Sequence, residues 1–251
     1  IHPVVASMLP ASNPWLEPLG ADTYGSVYLD PDGMFPNHVP NPENEDAMRS
    51  ICDAVLKNHA DLGVIFDTDV DRGGAVDSSG HEINRNRLIA LAAILATEGK
   101  KGATIVTDSV TSTGIAQFIE EHMGCHHYRH VRGYRNLINK ALELNAQGVD
   151  CVVAAETSGH VAMRENYFLD DGAYLCTRII VKLAQLRQQK ANMEEQLAQL
   201  EAAMANPEAG NQRADLTAQR DELAAQLAEQ QQYMSDLKLL DGNALQGEIE
   251  I

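Results

Sequence analysis

Aromatic side chains are scarce in this sequence. They make up 5% of the 251 residues, and there is a single tryptophan. A buried core must therefore be aliphatic, and enough material is present because hydrophobic residues reach 44%. Long apolar runs are lacking too, since none approaches the roughly 20 residues that cross a bilayer. We therefore expect no membrane partner, and the length fits one or two domains.

Positive charge is also in short supply. Nineteen lysines and arginines stand against 36 aspartates and glutamates, which gives a net charge of −17. A nucleic-acid surface needs cationic side chains, so the composition argues against a nucleic-acid partner. A small phosphosugar is not excluded, because local arginines, a metal ion and backbone N–H groups can bind it whatever the global charge.

Cysteine usage points to a reducing compartment. The sequence contains neither a CxxC pair nor a metal-ligand spacing, so we expect reduced thiols in the cytoplasm or the plastid stroma. The N-terminus has no signal-peptide pattern and no initiator methionine, which suggests a fragment or a processed chain. The four cysteines are Cys52, Cys125, Cys151 and Cys176.

Residues 1–182 alternate short apolar strands with helical patterns. This alternation predicts α/β/α layered domains with mostly parallel mixed sheets. Asn44 is a candidate N-cap for the first helix. The strand candidates are Leu62–Phe66, Thr104–Thr107 and Cys151–Ala155. The helix candidates are residues 44–58, 87–98, 112–122, 134–145 and 174–186.

The pattern changes from about Lys182. Apolar residues recur at 3,4 spacing in two runs rich in alanine, glutamine and glutamate, separated by a breaker cluster at residues 206–211. The pattern predicts an antiparallel helical hairpin, a coiled coil that is either a passive arm or an interaction surface. The apolar seam positions are Leu183, Leu186, Met193, Leu197, Leu200 and Met204, then Leu216, Leu223, Leu227, Met234 and Leu237.

An aspartate-rich loop follows the first apolar strand. Residues 67–72 read Asp-Thr-Asp-Val-Asp-Arg, so carboxylates alternate at Asp67, Asp69 and Asp71. If the loop curls, three like charges converge, and a divalent cation relieves their repulsion. Hard oxygen ligands suit Mg²⁺. The adjacent Arg72 has a planar fork of donors that suits phosphate oxygens.

Three other interpretations of this loop compete with a magnesium site. An EF-hand shares the alternating aspartates but needs glycine where Arg72 stands and glutamate where Ser78 stands. A haloacid-dehalogenase-like phosphatase would use Asp67 as a covalent nucleophile. The third alternative is a solvated acidic turn, which an apolar strand leading into the loop makes less attractive.

Two further loops carry groups suited to a phosphosugar. The strand Cys151–Ala155 leads into Glu-Thr-Ser-Gly-His at residues 156–160. In an extended loop Glu156 and Ser158 face the same way and can bind adjacent sugar hydroxyls, while His160 can move protons near neutral pH. Residues 130–135 read His-Val-Arg-Gly-Tyr-Arg ahead of a helical pattern, which suits phosphate binding.

The three loops together resemble the α-D-phosphohexomutase superfamily of phosphoglucomutases, phosphomannomutases and phosphoglucosamine mutases. Residues 67–72 resemble its metal loop, with Thr68 in place of the usual glycine, and residues 156–160 resemble its Glu-x-Ser-Gly-His sugar loop. Residues 133–135 resemble its Gly-x-Lys/Arg turn. The amino-acid sequence of residues 166–174 most resembles that of plant- or alga-type members.

The resemblance implies a division of the chain. Residues 1–79 correspond to the family's second domain and 80–188 to its third, followed by the hairpin at 189–240 and a tail at 241–251. The family's serine-bearing first domain and its fourth domain have no counterpart that we find here. Residues 11–14 match the serine loop only in part, which leaves Ser12 a poor candidate donor. We expect the chain alone to be incomplete for catalysis.

The resemblance also implies a mechanism and a set of roles. A phosphoserine exchanges phosphate with a hexose monophosphate through a bisphosphate, interconverting the 1- and 6-phosphates. Mg²⁺ is held by the three aspartates, and the hexose phosphate by Gly133, Glu156 and Ser158. Arg72, Arg135 and His160 serve the transfer. The alternatives are the dehalogenase-like phosphatase and a non-catalytic fragment that assembles, or self-associates, through its hairpin. The residues implied as metal ligands are Asp67, Asp69 and Asp71.

Overall fold

The computed structural model describes residues 3–6, 16–30, 32–83, 85–205 and 213–239. The described residues divide into two compact units, one ending at Val181 and one beginning at Lys182. The candidate serine Ser12, the breaker cluster 206–211 and the tail 241–251 lie outside the described residues. In the described part of the chain, no helix is both long and apolar enough to cross a membrane.

The first sheet has four strands in the order β1-β2-β3-β4, and it is mixed. β1 pairs parallel with β2, whereas the β2–β3 and β3–β4 pairs are antiparallel. The prediction of mostly parallel strands is therefore wrong for this sheet. The loop between β2 and β3, residues 67–72, is too short for the helical crossover that parallel neighbours require. The strands are Pro3–Ala6, Leu62–Phe66, Gly73–Asp77 and Glu82–Ile83.

Helix α1, Glu45–Asn58, packs on this sheet. Its N-cap is Asn44, as predicted, and the Asn44 side chain accepts hydrogen bonds from the amides of Asp46 and Ala47 at 3.1 and 3.0 Å. Apolar residues recur on one face of the helix, and that face is buried against β2 and β3. The core cluster is aliphatic, as the composition requires, and includes Met48, Ile51, Val55, Ile65 and Val76.

The second sheet has the order β6-β5-β7-β8 and is mostly parallel, as predicted. β5 pairs parallel with both β6 and β7, and only β8 runs antiparallel. Every residue of β7 is buried, because α2 and α4 both contact this strand. The strands are Thr104–Thr107, His126–Arg129, Cys151–Ala155 and Val161–Met163, and the two helices are α2, Asn86–Thr97, and α4, Tyr134–Ala146.

The remaining helices follow the predicted pattern with one difference. Helix α3, Thr113–Gln117, is capped by Ser112 and continues as a π-helical turn, Phe118–His122. Helix α5, Gly172–Ala205, is a single helix, so the predicted helix 174–186 and the first arm of the hairpin have no break between them. Helix α6 spans Arg213–Leu239.

Candidate active site

The aspartate loop turns sharply where β2 ends. Val70 has a φ of 64°, a conformation that a β-branched residue rarely adopts and that marks local strain. Asp67 is buried, Asp71 is half-buried and Asp69 is exposed, and their carboxylate oxygens lie within 4.8 Å of one another. Three carboxylates this close form a hard, all-oxygen donor set, which fits Mg²⁺. The structure thus places close together the three aspartates that the sequence pattern predicted to converge.

Arg72 holds the first aspartate of the loop in place. Its Nε donates to Asp67 Oδ2 at 2.6 Å, and its backbone amide donates to Asp67 Oδ1 at 3.2 Å. Its Nη1 donates to Asn41 Oδ1 at 3.2 Å. The guanidinium therefore orients a carboxylate of the cluster in addition to any role toward phosphate.

Electrostatic crowding is visible at Asp71. Burial, together with the neighbouring Asp67 and Asp170 carboxylates, raises the pKa of Asp71 to about 6, although His160 opposes the shift. The raised pKa indicates that the negative charge of the Asp71 carboxylate is not fully compensated by its surroundings. A divalent cation bound among the aspartates would supply that compensation.

His160 stands beside the aspartate loop. Its Nδ1 lies 2.7 Å from Asp170 Oδ2 and 3.8 Å from Asp71 Oδ2. Because a carboxylate accepts hydrogen bonds, Nδ1 carries the proton, which leaves Nε2 as the second titratable position. Burial lowers the pKa of His160, but the bond to Asp170 and the charges of Asp170 and Asp71 outweigh it, so the pKa is raised.

The basic turn reaches His160 through an aromatic ring. Tyr134 begins α4 after Gly133, whose φ is 118°. The Tyr134 ring stacks on the imidazole of His160, with centroids 4.8 Å apart and planes inclined by 21°. Arg135 Nε donates to the Tyr134 hydroxyl oxygen at 3.2 Å, and its guanidinium carbon lies 5.8 Å from the ring centroid. Arg135 is thus linked to His160 through Tyr134.

The sugar loop differs from the expected extended conformation. The amide of Gly159 donates to the carbonyl of Glu156 at 3.1 Å, so the loop is a turn, and its two polar side chains have different neighbours. Glu156 accepts a hydrogen bond from Arg132 Nε at 3.1 Å. Ser158 is 8% exposed, and its Oγ has no hydrogen-bond partner among the described residues. It lines a small cavity with Pro42, Glu43, Gly73, Arg85, Thr157 and Gly159.

The aspartate loop and the sugar loop are joined by main-chain contacts. Arg72 and His160 form an antiparallel bridge, and the amide of Gly73 donates to the carbonyl of Gly159 at 3.3 Å. A Cβ on Gly159 would stand 2.9 Å from the carbonyl oxygen of Gly73, and one on Gly172 would stand 2.6 Å from the carbonyl carbon of Arg72. We call Gly73, Gly159 and Gly172 the glycine junction. It places the three aspartates beside His160.

Two family models match consecutive parts of the chain. Residues 10–80 match the family model for phosphoglucomutase/phosphomannomutase alpha/beta/alpha domain II. Residues 84–203 match the model for domain III of the same family. The chain belongs to the phosphoglucomutase/phosphomannomutase family. The second match continues well beyond Val181, so the family model covers part of the residues expected to form the hairpin.

Several of the similar proteins of this phosphoglucomutase/phosphomannomutase family are bacterial. A phosphomannomutase/phosphoglucomutase of Pseudomonas syringae is 34% identical over 173 residues, which are 68% of this chain and 35% of that protein. A phosphoglucomutase of Neisseria meningitidis is 31% identical over 155 residues, which are 61% of this chain and 32% of that protein. The chain thus spans about a third of the relatives' length. The plant- or alga-type assignment is not confirmed by these relatives.

A solved structure agrees with this phosphoglucomutase/phosphomannomutase assignment. A phosphoglucomutase/phosphomannomutase family protein from Burkholderia thailandensis is 27% identical, with a TM-score of 0.62 over 71% of this chain and 38% of that one. A second similarity, to a putative phosphomannomutase from Thermus thermophilus with a TM-score of 0.56 at 17% identity, supports the fold alone.

Sequence reasoning did not single out four residues that the structure brings to this site. Asp170 and Asp171 precede helix α5 and both resemble capping residues in the sequence, but it is Asp171 Oδ1 that accepts a hydrogen bond from the Tyr174 amide, at 2.8 Å, whereas Asp170 contacts His160. Tyr134 and Arg132 were visible only as parts of the basic turn. Asp108 is not part of a recognisable motif. The one feature of the sequence that points to it is its position directly after strand β5, where a carboxylate can face the neighbouring loops.

Proposed function

We propose that this chain supplies the metal-binding and sugar-binding parts of a phosphohexomutase that interconverts hexose 1-phosphate and hexose 6-phosphate. The glycine junction carries this proposal, because it holds the aspartate loop against the sugar loop. Family membership supports the reaction class. On this proposal, the substrate of the whole protein is a hexose monophosphate.

The aspartates Asp67, Asp69 and Asp71 would hold Mg²⁺, which supplies charge neutralisation to a phosphoryl group when bound. Arg72 keeps Asp67 oriented through two hydrogen bonds. Glu156 and Ser158 would bind hexose hydroxyls, with Gly133 allowing the chain to turn ahead of α4. His160, oriented by Asp170, would hold or move a proton at Nε2. Arg135 would act beside it on the phosphosugar.

The experiment is a paired titration. Isothermal calorimetry with Mg²⁺, followed by glucose 1-phosphate in the presence of Mg²⁺, should show the metal binding first and the sugar phosphate binding more tightly with metal than without it. The Glu156→Gln variant should keep Mg²⁺ affinity and lose sugar-phosphate affinity. Equal sugar-phosphate affinity in both proteins would contradict the assignment of Glu156.

The dehalogenase-like phosphatase is the second candidate enzyme, and the surroundings of Asp67 weigh against it. Asp67 is 3% exposed, and each of its oxygens accepts a hydrogen bond from Arg72. A nucleophilic carboxylate needs a free oxygen in line with the phosphorus atom. A phosphatase would become labelled on Asp67 by a phosphate donor, and we expect no such label.

We also propose that α6 and the second half of α5 form an antiparallel coiled coil through which the chain self-associates. Two observations support the pairing. In the second half of α5 the predicted seam residues Met193, Leu197, Leu200 and Met204 are half-buried between exposed neighbours. Leu200 of α5 and Leu223 of α6 line one cavity of about 440 Å³. Light scattering on the full chain and on Leu200→Glu tests self-association, and an unchanged mass in the variant would contradict it. The location of the protein in the cytoplasm or the plastid stroma, and its assignment to the plant- or alga-type members of the family, remain predictions.

A further inference from the structure

A buried carboxylate outside the predicted site contacts the sugar loop. Asp108 follows β5 and is fully buried. Its Oδ2 accepts hydrogen bonds from the amide and the hydroxyl of Thr157, at 3.0 and 2.7 Å. Its Oδ1 accepts from the amide of Val110 at 3.1 Å. Three donors compensate a charge that would otherwise be costly to bury. They join the ends of two neighbouring parallel strands, β5 and β7.

The segment that carries Asp108 is held by contacts of its own. The Thr111 hydroxyl donates to the Asp108 carbonyl at 2.8 Å and lies 2.9 Å from the Thr107 hydroxyl. Arg129 Nε donates to Thr111 Oγ1 at 3.3 Å, and Arg129 Nη2 donates to the Ser112 carbonyl at 3.2 Å. Asp108 therefore offers Thr157 a fixed acceptor, not a mobile one.

Thr157 is the middle residue between the two side chains assigned to the sugar hydroxyls. Its backbone amide and its hydroxyl both donate to Asp108, so a residue outside the sugar loop fixes the position of Thr157 in the turn. Glu156 and Ser158 are covalently attached on either side. A displacement of Thr157 therefore moves both of them, while the aspartate loop keeps its own contacts with Arg72.

We propose that Asp108 is a positioning residue for the sugar loop: through Thr157 it sets where Glu156 and Ser158 stand. The sugar-binding part of this inference rests on the function proposed above. The hydrogen bonds of the Asp108 carboxylate go to Thr157 and Val110, not to the metal cluster or the hydroxyl-binding side chains. Its effect should therefore be confined to sugar-phosphate binding and to the order of the turn.

The test uses the full chain and four variants. Asp108→Asn keeps the shape but offers one acceptor oxygen in place of two. Thr157→Val keeps the hydrogen bond from the backbone amide to Asp108 and removes the one from the hydroxyl, whereas Thr157→Ser keeps both donors. Thr97→Val is the matched control, because Thr97 is also buried and its hydroxyl donates to the Ala93 carbonyl at 2.9 Å within α2.

Two readouts are measured on each protein: amide hydrogen exchange at residues 156–159, and the affinities for Mg²⁺ and glucose 1-phosphate. We expect exchange at Thr157 and Ser158 to be about tenfold faster, and sugar-phosphate affinity about tenfold weaker, in Asp108→Asn and Thr157→Val. Mg²⁺ affinity should be unchanged within about twofold. Thr157→Ser and Thr97→Val should match the parent in both readouts.

The outcomes separate the two proposals. Unchanged exchange at residues 156–159 in Thr157→Val, or an equal change in Thr97→Val, overturns the role of Asp108. If Asp108→Asn does not fold, the Thr157 series decides the matter alone. If the parent chain binds no glucose 1-phosphate, the proposed function fails. The exchange rates then still show whether Asp108 determines the conformation of the turn.

Discussion

The amide of Gly172 donates a hydrogen bond to the carbonyl oxygen of Val70 at 3.0 Å. This bond joins the first residue of α5 to the strained position of the aspartate loop. Because a side chain on Gly172 would stand within 2.8 Å of three backbone atoms of Arg72 and Gly73, the approach is possible only for glycine. The conformation of the aspartate loop therefore depends on helix α5, which follows the second sheet in the chain.

Gly172→Ala should separate α5 from the aspartate loop. Overpacking of this kind costs about 1–3 kcal/mol of folding free energy, and we expect Mg²⁺ affinity to fall about tenfold as the aspartates spread. Calorimetry and thermal melting measure the two effects. The control is Gly33→Ala, where an added Cβ meets nothing within 4 Å. Parent-like Mg²⁺ affinity in Gly172→Ala would contradict the role of this contact.

Asp69→Asn should weaken Mg²⁺ binding by about tenfold, equivalent to about 1.4 kcal/mol, because it removes one formal charge from the cluster. Asp69 is exposed, so the folded protein should lose little stability. Asp53→Asn, an exposed carboxylate on α1, serves as the matched control. Equal Mg²⁺ affinity in Asp69→Asn and the parent would argue against a magnesium site here.

Mg²⁺ binding should weaken as the pH falls through about 6. Burial raises the pKa of Asp71 from 3.8 to about 6, so below that pH the carboxyl group is protonated and cannot bind metal. A single competing proton weakens affinity by about tenfold for each pH unit below the pKa. Calorimetry at several pH values measures the slope, and a flat profile down to about pH 5 would contradict the prediction.

The same pKa has the opposite effect on the stability of the metal-free protein. The folded state holds the Asp71 proton more tightly than the unfolded state does, so this group stabilises the fold at low pH. The contribution is lost as pH rises through the folded pKa of about 6. Asp71→Asn should therefore raise the metal-free melting temperature above pH 6, and added Mg²⁺ should stabilise the variant less than the parent.

Arg132→Met should destabilise the chain by about 1 kcal/mol, since Glu156 is buried and Arg132 provides its charged partner. The value is modest because half of the Arg132 side chain is exposed, and solvent screens the pair. In the double variant Arg132→Met with Glu156→Gln much of the loss should return. Additive losses in the denaturant-unfolding cycle would show that the two residues do not interact.

The chain alone should not interconvert hexose phosphates. Phosphoryl transfer needs a donor positioned in line with the acceptor, and neither the family's donor-serine loop nor its distal-phosphate clamp is recognisable in this sequence. A coupled assay with glucose 1-phosphate, Mg²⁺ and glucose 1,6-bisphosphate measures turnover. Turnover that is abolished in both Asp67→Asn and Ser12→Ala would contradict the prediction and identify Ser12 as the donor.

Local features of the fold could be predicted from the sequence, and long-range ones could not. The strands Leu62–Phe66, Thr104–Thr107 and Cys151–Ala155 have the predicted bounds, because each is a short run centred on apolar residues. Strand His126–Arg129 was missed because its side chains are mostly exposed and polar, which removes the apolar signal. The short strands Glu82–Ile83 and Val161–Met163 depend on pairing with distant partners.

The site shows the same difference. The clustering of Asp67, Asp69 and Asp71 follows from their alternation after a buried strand, a local pattern. The pairs His160–Asp170 and Arg132–Glu156 depend on how loops meet in space. Residue identity suggested an extended sugar loop, but Gly159, with a φ of 103°, closes a turn instead. Backbone conformation of this kind is not encoded in side-chain chemistry alone.

The glycine junction has a consequence for how this protein can be divided. Main-chain hydrogen bonds between Gly73 and Gly159 and between Gly172 and Val70 join the part of the chain that carries the first sheet to the part that carries the second. A cut between the two family domains, near residue 80, would leave those donors and acceptors without partners. It would also release the strained aspartate loop from the helix that supports it. Each half could retain its core, but neither could retain the site, so the smallest part of this chain that keeps the site includes both domains.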